Sequence, residues 1–180
     1  MKWMFASDLH GSAYYCRLML EALAREKAGR LLLLGDVLYH GPRNDLPREY
    51  DPKEVTALIN AQRREIMSIR GNCDAAIDEV VLEIPFAEHA FIPAGSRMIF
   101  AAHGHDYGPD RLPALNSGDI LLCGHTHVPA CTQIGDIIYA NPGSLSLPKE
   151  GSEPGYMILE GDKLHWKTLA DGKIWQSFAL

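Results

Sequence analysis

Histidine, aspartate and asparagine side chains cluster at five places in the sequence, and their types suit metal chemistry. The clusters are Asp8 with His10, Asp36 in "LLLLGD", Asn72 in "SIRGN", His103 in "IFAAHGH", and His125 with His127 in "LLCGHTH". Imidazole and carboxylate are the groups that Mn, Fe, Co, Ni and Zn accept as ligands. Each motif alone is weak, because such residues are common in turns. The ordered set predicts a metal centre.

Two clusters contain ligand-type residues at positions i and i+2, namely Asp8 with His10 and His125 with His127. In an extended segment such pairs point to the same side. Two ions about 3.5–4 Å apart need a bridging group, which one aspartate can supply. Glycines at positions 35, 71, 104 and 124 are expected to let the backbone turn sharply beside the ions. The residues therefore predict a dinuclear centre.

The elements of the first half must bring these clusters together. Lys2 to Ala6, "RLLLLGD" and "EIMSIRGN" are predicted strands. Between them, residues 12–28 form an amphipathic helix that ends at Gly29, and residues 51–64 form a helix with Asp51 as N-cap and Pro52 in its first turn. This order predicts a parallel sheet, whose strands end at one edge.

After Asp78 the sequence is expected to be mostly strand. Short apolar runs at "VVLEI", "RMIFAAH", "DILLCGH", "DIIYA", "GYMILE" and "KLHWKTL" are separated by turn residues. The simplest architecture is two packed sheets with helices outside, and the length predicts a single domain over residues 1–180.

Composition excludes several classes of protein. The chain is 47% hydrophobic and 22% charged, as in a globular domain, and contains no apolar run long enough to span a membrane. No signal peptide is expected. The net charge of −6 opposes an extended nucleic-acid surface. The four cysteines form no CxxC pair and are predicted to be free thiols in the cytoplasm.

The ordered motifs DxH, GDx, GNx, HGH and GHxH resemble those of the calcineurin-like metallophosphoesterase superfamily, over the whole chain. "GDVLYHGPRN", "IRGNCD" and "NPGSLSLPK" are similar to its small bacterial phosphodiesterases. The resemblance implies an α/β fold, a four-layer αββα sandwich of two mixed β-sheets flanked by helices. It also implies a phosphoric diester hydrolase with two divalent ions, Mn²⁺ foremost and Ni²⁺, Co²⁺, Zn²⁺ or Fe²⁺ as alternatives.

The resemblance also assigns roles to the clustered residues. The implied ligands are Asp8, His10 and His127 for the first ion, Asn72, His103 and His125 for the second, and Asp36 as the bridge. Asp36, Asn72 and His103 are also the implied catalytic residues. The implied reaction is in-line attack of a metal-activated hydroxide on phosphorus, while both ions hold the phosphoryl oxygens.

Two departures separate this chain from larger relatives. Many carry a histidine, the proposed general acid, where Cys73 stands here, and a neutral thiol is a weak acid. Many also contain GDxxDRG, whose last Asp and Arg are replaced here by Tyr39 and His40. Both departures disfavour a protein phosphatase. They favour substrates with a good leaving group, or a leaving group protonated by another residue.

Other polar residues near the motifs are predicted to contact substrate or to orient ligands. His40 either contacts substrate phosphate or forms a hydrogen bond behind a ligand. Arg43 lines the pocket or braces its loop, and Asp74 orients the Asn72 loop. His105 is predicted to face the substrate or a ligand rather than a metal ion.

The charge of the implied centre favours a diester. Two divalent ions, two carboxylates and one hydroxide leave about one positive charge, which balances a phosphodiester. A phosphomonoester carries nearly two negative charges near pH 7 and would need a further cation, such as Arg43 or Arg70. The sequence therefore predicts a small phosphodiester substrate.

Two other functions use the same fold. A non-catalytic scaffold would bind partners through its surface, but all seven ligand positions are filled here. A nuclease would use the same metal chemistry, but the charge is negative and the chain offers no added DNA-binding domain. The resemblance also leaves a homo-oligomer open.

Overall fold

The computed structural model describes residues 1–180 as twelve strands and three helices. The strands are β1 (Trp3–Ala6), β2 (Arg30–Leu33), β3 (Ile66–Ile69), β4 (Phe86–Ala87), β5 (Ala90–Ala94), β6 (Arg97–Ala101), β7 (Ile120–Leu122), β8 (Ala130–Ile134), β9 (Ile137–Asn141), β10 (Gly155–Glu160), β11 (Lys163–Thr168) and β12 (Ile174–Ala179). The helices are α1 (Ala13–Glu26), α2 (Pro52–Ala61) and α3 (Asp78–Val81). No helix combines the length and the apolar character needed to cross a membrane.

The strands form two mixed sheets. The first has seven strands in the order β12-β11-β10-β1-β2-β3-β4. Strands β1 to β4 pair in parallel, and β10, β11 and β12 each pair antiparallel with their neighbours. The second has five strands in the order β5-β6-β7-β9-β8, with a parallel centre and an antiparallel strand at each edge. The predicted parallel pairing of the first three strands is confirmed.

Side chains that alternate in direction along the strands divide the core into layers. Met4, Leu31 and Leu33 pack toward α1 and α2, whereas Phe5 and Leu32 pack between the two sheets. Successive strand residues point to opposite faces, so a strand buried on both sides requires a continuous apolar run. This explains the four consecutive leucines of "RLLLLGD".

The outer face of the second sheet is covered by a loop. Phe100 and Leu121 are buried on this face, and Tyr107 and Leu115 of the segment between β6 and β7 pack against them. The rings of Phe100 and Tyr107 meet edge to face, with centroids 5.3 Å apart. The predicted α/β fold of two mixed sheets is confirmed, and its fourth layer is built from this loop rather than from a helix.

The first two helices begin where the sequence predicts. The Ser12 hydroxyl accepts a hydrogen bond from the Tyr15 backbone N–H at 3.2 Å, and the Asp51 carboxylate accepts one from Glu54 at 3.0 Å. Such caps satisfy donors that lack helical partners. The predicted ends are too late: α1 stops at Glu26, because Lys27 takes a left-handed conformation, and α2 stops at Ala61.

In the second half of the chain, further elements differ from those predicted. Helix α3 includes the first two residues of the predicted strand "VVLEI" and the two residues before it. The Asp78 carboxylate accepts a hydrogen bond from the Ala75 backbone N–H at 2.9 Å. Strands β4, β5, β8 and β12 were not predicted. All four are edge strands, where one side is unpaired and proline is tolerated, as Pro93 in β5 shows. Their apolar patterns are correspondingly weak.

Candidate metal centre

The seven predicted ligands lie together, just beyond the carboxyl ends of strands from both sheets. Asp8 and His10 follow β1, and Asp36 and Asn72 lie in the loops after β2 and β3. In the second sheet, His103 follows β6, and His125 and His127 follow β7. Open α/β sheets place their sites at this edge. Sheet stacking thus joins residues that are distant in sequence, such as His10 and His127, which are 117 positions apart.

A first group of ligand atoms surrounds Asp8. Its Oδ1 lies 3.3 Å from His127 Nε2 and 3.7 Å from His10 Nε2, and the two imidazole nitrogens are 3.1 Å apart. Asp36 Oδ2 lies 3.8 Å from His10 Nε2. The ligand atoms of Asp8, His10 and His127 all lie within 4.8 Å of one another. These are the residues that the resemblance assigns to the first ion.

A second group surrounds His103. Its Nε2 lies 3.0 Å from Asn72 Oδ1, 3.2 Å from His125 Nδ1 and 3.5 Å from Asp36 Oδ1. These are the residues that the resemblance assigns to the second ion. Asp36 belongs to both groups, because its two carboxylate oxygens face different histidines.

Backbone carbonyl groups fix which nitrogen of three histidines faces the site. The Nδ1 atoms of His10, His103 and His127 lie 2.8, 2.6 and 2.7 Å from the carbonyl oxygens of Tyr39, Leu34 and Leu147. A carbonyl only accepts, so Nδ1–H donates and Nε2 turns its lone pair inward. Backbone carbonyl groups therefore orient three of the four predicted ligand histidines.

The residues present fit a divalent metal centre. Asp8 Oδ1 is buried and has no hydrogen-bond partner, and such atoms are costly to leave unpaired. When both imidazoles are neutral, as metal binding requires, the Nε2 lone pairs of His10 and His127 point toward each other across 3.1 Å and repel. A cation between these atoms would remove both costs. Imidazole, carboxylate and amide ligands suit Mn²⁺, Fe²⁺, Co²⁺, Ni²⁺ or Zn²⁺.

Charge in the site holds Asp8 ionised. Burial raises the pKa of Asp8, but the His127 contact and the nearby histidines outweigh it, and the pKa falls from 3.8 to about 2. Burial lowers the pKa of His10 and of His125, which favours neutral imidazole. Burial also acts to lower the pKa of His127, but its contact with Asp8 raises it overall.

The lowered pKa of Asp8 makes stability depend on pH in a defined direction. Its stabilising effect is present above the unfolded value of 3.8 and is lost as pH falls toward about 2. In metal-free protein, the unfolding free energy of wild type relative to Asp8→Asn is expected to fall by about 2 kcal/mol across this window. Urea unfolding at a series of pH values measures it. A difference that stays constant, or grows as pH falls, would contradict the assignment.

The backbone of the ligand residues is unusual. Asp8, His10, Asp36, His125 and His127 have φ between +50° and +66°, and they are five of the eight non-glycine residues with positive φ. This left-handed region costs about 1–3 kcal/mol per residue and persists mainly at functional sites. The expectation that the two i, i+2 pairs lie in extended segments is therefore wrong, although both pairs still converge.

Two of the glycines provide space rather than a turn. A Cβ on Gly71 would lie 2.1 Å from Asp36 Oδ1, and a Cβ on Gly124 would lie 1.8 Å from Ser7 Oγ. Neither has positive φ, unlike Gly35 and Gly104. The prediction of sharp turns holds for the last two, whereas Gly71 and Gly124 let the loops approach one another closely.

Asp74 ties two of the ligand loops together. Its carboxylate accepts hydrogen bonds from the backbone N–H groups of Asp36, Val37 and Gly71 at 2.9, 2.8 and 2.7 Å. Burial, the largest effect, raises its pKa. This geometry agrees with the predicted orienting role, because the carboxylate is already occupied by backbone donors.

Residues 141–146, which begin with "NPGS", brace the ligand loops on the other side. The Ser144 and Ser146 hydroxyls donate to the Asp8 carbonyl at 2.8 and 3.1 Å. The Asn141 amide donates to the Gly124 carbonyl at 2.7 Å. The segment thus joins the loops that carry Asp8 and His125.

A pocket of about 840 Å³ opens over the ligand groups, with Asp36, Asn72, His125 and His127 in its wall. Arg43 and Cys73 also line it, which for Arg43 agrees with the predicted alternative of lining the pocket. Lys149 lines it too and was missed by sequence reasoning. The only signal was its position in "NPGSLSLPK".

His40 and His105 lie outside this pocket. The His40 ring packs edge to face with Tyr39 and Tyr50, at centroid distances of 4.8 and 5.2 Å, and its buried Nδ1 has no hydrogen-bond partner, so this nitrogen does not form the predicted hydrogen bond behind a ligand. The His105 ring lies 5.5 Å from His103, and its Nε2 lies 3.3 Å from Asp106 Oδ2.

Comparison with known proteins shows the family to which the chain belongs. The sequence profile of the calcineurin-like phosphoesterase superfamily domain matches residues 1–163. The chain belongs to this superfamily. Within it, the chain is 43% identical to Phosphodiesterase YfcE of Escherichia coli strain K12 over 175 residues, which cover 97% of this chain and 95% of YfcE. The solved structure of E. coli YfcE, a phosphoesterase, gives a TM-score of 0.95 over 99% of each chain.

Two more distant similarities agree with this assignment. The chain is 31% identical to the probable metallophosphoesterase YsnB of Bacillus subtilis over 167 residues, covering 88% of this chain and 83% of YsnB. A structure of Vps29 from Entamoeba histolytica complexed with zinc gives a TM-score of 0.63 at 21% identity, over 100% of this chain and 98% of Vps29, and shows a shared fold alone. The predicted family and the predicted class of enzyme, a phosphoesterase, are confirmed.

Proposed function

We propose that this calcineurin-like phosphoesterase is a metal-dependent phosphodiesterase that hydrolyses small phosphodiesters at a dinuclear centre. The observation that carries the proposal is the position of Asp36, whose Oδ2 faces His10 and whose Oδ1 faces His103. One carboxylate between two groups of ligand atoms is what a bridged pair of ions requires. The 43% identity to YfcE, which is named a phosphodiesterase, supports the reaction class.

The residues have distinct tasks in this proposal. Two bound ions would supply positive charge to the phosphoryl oxygens and activate water as the nucleophile. Asp36, Asn72 and His103 would hold and orient the reacting groups, and the carbonyl groups behind the histidines keep their tautomers correct. Asp74 would hold the Asp36 and Asn72 loops at fixed separation.

The charge of the proposed metal centre itself, counted without the pocket-lining Arg43 and Lys149, supports a diester over a monoester. Arg70, one of the two cations considered for a monoester, instead forms ion pairs with Glu79 and Glu88. Two divalent ions, the two carboxylates Asp8 and Asp36 and one hydroxide would carry about one positive charge, enough for the single charge of a diester. We therefore expect bis-p-nitrophenyl phosphate to be cleaved faster than p-nitrophenyl phosphate.

Metal removal and replacement test the proposal. Chelated protein is assayed with both p-nitrophenyl esters after single additions of Mn²⁺, Ni²⁺, Co²⁺, Zn²⁺ or Mg²⁺, and bound metal is counted by mass spectrometry. We expect two ions per chain and restored diester cleavage, with Mn²⁺ most effective. Failure to bind any ion would overturn the proposal and favour a scaffold. Faster monoester cleavage would overturn the charge argument.

Cys73 leaves the site without an obvious proton donor for the leaving group. Burial, followed by the charge of Asp36, raises the pKa of Cys73 to about 12, so the thiol stays protonated and is a poor acid. Cys73→His is expected to raise kcat/KM about 10²-fold for a diester with an alkoxide leaving group, the usual size of general acid catalysis. Little change is expected for a p-nitrophenolate leaving group.

Cys73→Ser is the matched control, because it keeps the size of the side chain without adding an imidazole. The pH profile of kcat/KM for Cys73→His should show an additional decrease as the new imidazole loses its proton. Equal gains for both leaving groups, or for both variants, would show that the effect is not proton transfer.

Several broader properties complete the proposal. The four cysteines are unpaired, which supports the reducing cytoplasm as the compartment. The core layer shared by both sheets supports a single domain over residues 1–180. The net charge of −6 argues against an extended nucleic-acid surface and hence against a nuclease. The strand-rich half would provide the interface of a homo-oligomer.

A further inference from the structure

Two cations that line the pocket lack ion-pair partners within the chain. Arg43 lies on the loop after β2, and Lys149 lies between β9 and β10. No carboxylate lies within 4.0 Å of either cation, whereas Arg17, Arg70 and Lys167 all form ion pairs. These two charges are therefore available to a ligand.

The wall offers no acidic group to neutralise them. The only carboxylates that line the pocket are Asp36, a predicted ligand, and Asp74, which accepts three backbone hydrogen bonds. The chain as a whole has 23 acidic and 17 basic residues. Two unpaired cations lining one pocket, with no free carboxylate among its lining residues, thus run against the charge of the rest of the molecule.

Hydrogen bonds hold the backbone segments that carry Arg43 and Lys149. The Lys149 N–H donates to the His127 carbonyl at 3.2 Å, and the Lys149 carbonyl accepts from the Ser152 N–H at 3.0 Å. The Arg43 loop is held by the Asn44 amide, which donates to the His40 carbonyl at 2.8 Å. Lys149 therefore begins beside a predicted metal ligand, and Arg43 lies in the wall of the same pocket.

We propose that Lys149 and Arg43 bind a second phosphate group of the substrate, so that the preferred substrates are phosphodiesters with a phosphorylated arm. This inference rests on the proposed function. The single charge of the scissile diester is balanced at the centre, which leaves the two wall cations for another anion. A terminal phosphate carries nearly two charges near pH 7 and accepts charge-assisted hydrogen bonds from both guanidinium and ammonium groups.

A pair of substrates that differ by one phosphate tests the inference. Thymidine 5′-(p-nitrophenyl phosphate) and its 3′-phosphorylated form share the leaving group and the scissile diester. We expect kcat/KM to be about five- to tenfold higher for the 3′-phosphorylated form, mainly through KM, as expected for two exposed ion pairs. In the double variant Arg43→Gln/Lys149→Gln this ratio should fall to about one.

Lys53→Gln is the matched control, because it removes one exposed positive charge from α2, outside the pocket, and should leave the ratio unchanged. Equal kcat/KM for the two substrates in wild type, or an unchanged ratio in the double variant, would overturn the inference while leaving the phosphodiesterase proposal intact.

A binding measurement separates the two proposals if no diester is cleaved. Calorimetry of the Mn²⁺-loaded protein compares thymidine 3′,5′-bisphosphate with thymidine 5′-monophosphate. Tighter binding of the bisphosphate in wild type, lost in the double variant, supports the second phosphate site even if the protein is not a phosphodiesterase. Equal affinities reject it.

Discussion

Replacement of Asp36 by asparagine is expected to reduce kcat/KM for bis-p-nitrophenyl phosphate by at least about 10³-fold, because the bridge between the two ligand groups is lost. Asparagine keeps the size of the side chain, and its oxygen can still accept the Cys73 N–H that Asp36 Oδ1 accepts at 2.9 Å. The loss is therefore expected without unfolding. Kinetics, metal content and thermal unfolding are measured on the same preparation.

The matched control for this variant is Asp119→Asn. Asp119 is also buried, and its carboxylate accepts backbone hydrogen bonds from Met98 and Asn116 at 2.8 and 3.0 Å. It precedes β7, at the end opposite to His125. This variant should keep both ions and its activity. If Asp36→Asn bound two ions with unchanged affinity and kept its activity, Asp36 would not be the bridge.

Gly71→Ala is expected to lower kcat/KM about 10²-fold, through geometry alone. The new Cβ would lie 2.1 Å from Asp36 Oδ1 and 2.4 Å from the Asp36 backbone nitrogen, distances that force the loops apart. A displacement of about 1 Å in a catalytic group is enough for a loss of this size. Steady-state kinetics and metal affinity measure the effect, and circular dichroism checks that the fold is kept.

Gly29→Ala is the control for the added methyl group. Its nearest contacts would be 3.6 Å to the Met1 side chain and 3.9 Å to the Lys2 carbonyl, which are ordinary packing distances. Its activity should match wild type. If Gly71→Ala retained full activity and metal affinity, Asp36 would not need its present position.

The sequence alone was sufficient to predict elements whose structure follows from local chemistry. Ser12 and Asp51 begin helices because their side chains satisfy backbone donors a few residues away. The leucine run of β2 predicts a strand because both of its faces are buried. The ends of helices were less predictable, since Lys27 adopts a left-handed conformation that glycine would have signalled.

Elements stabilised by distant partners were harder to predict. Strands β5, β8 and β12 exist because each pairs with a neighbour at a sheet edge, and their own apolar patterns are weak. The loop that covers the second sheet contributes Tyr107 and Leu115 without any periodic pattern. Such elements depend on what they pack against, which no local signal records.

For the candidate site, the sequence determined which residue types are available and that each follows a strand. Metal-ligand chemistry is a property of single side chains and can be recognised from Asp8, Asp36 and His103 without coordinates. Their order along the chain was enough to identify the family. The same reasoning could not find Lys149, because its role depends on the pocket it lines and not on its neighbours in sequence.

Only the tertiary structure decided how the site is built. Stacking of two sheets places His127 3.1 Å from His10, and the two oxygens of Asp36 face separate groups because backbone strain and three hydrogen bonds to Asp74 hold its loop. Distances between residues far apart in sequence are set by packing of the whole core. Each short motif contains one or two of the ligands, and the fold determines the distances between them.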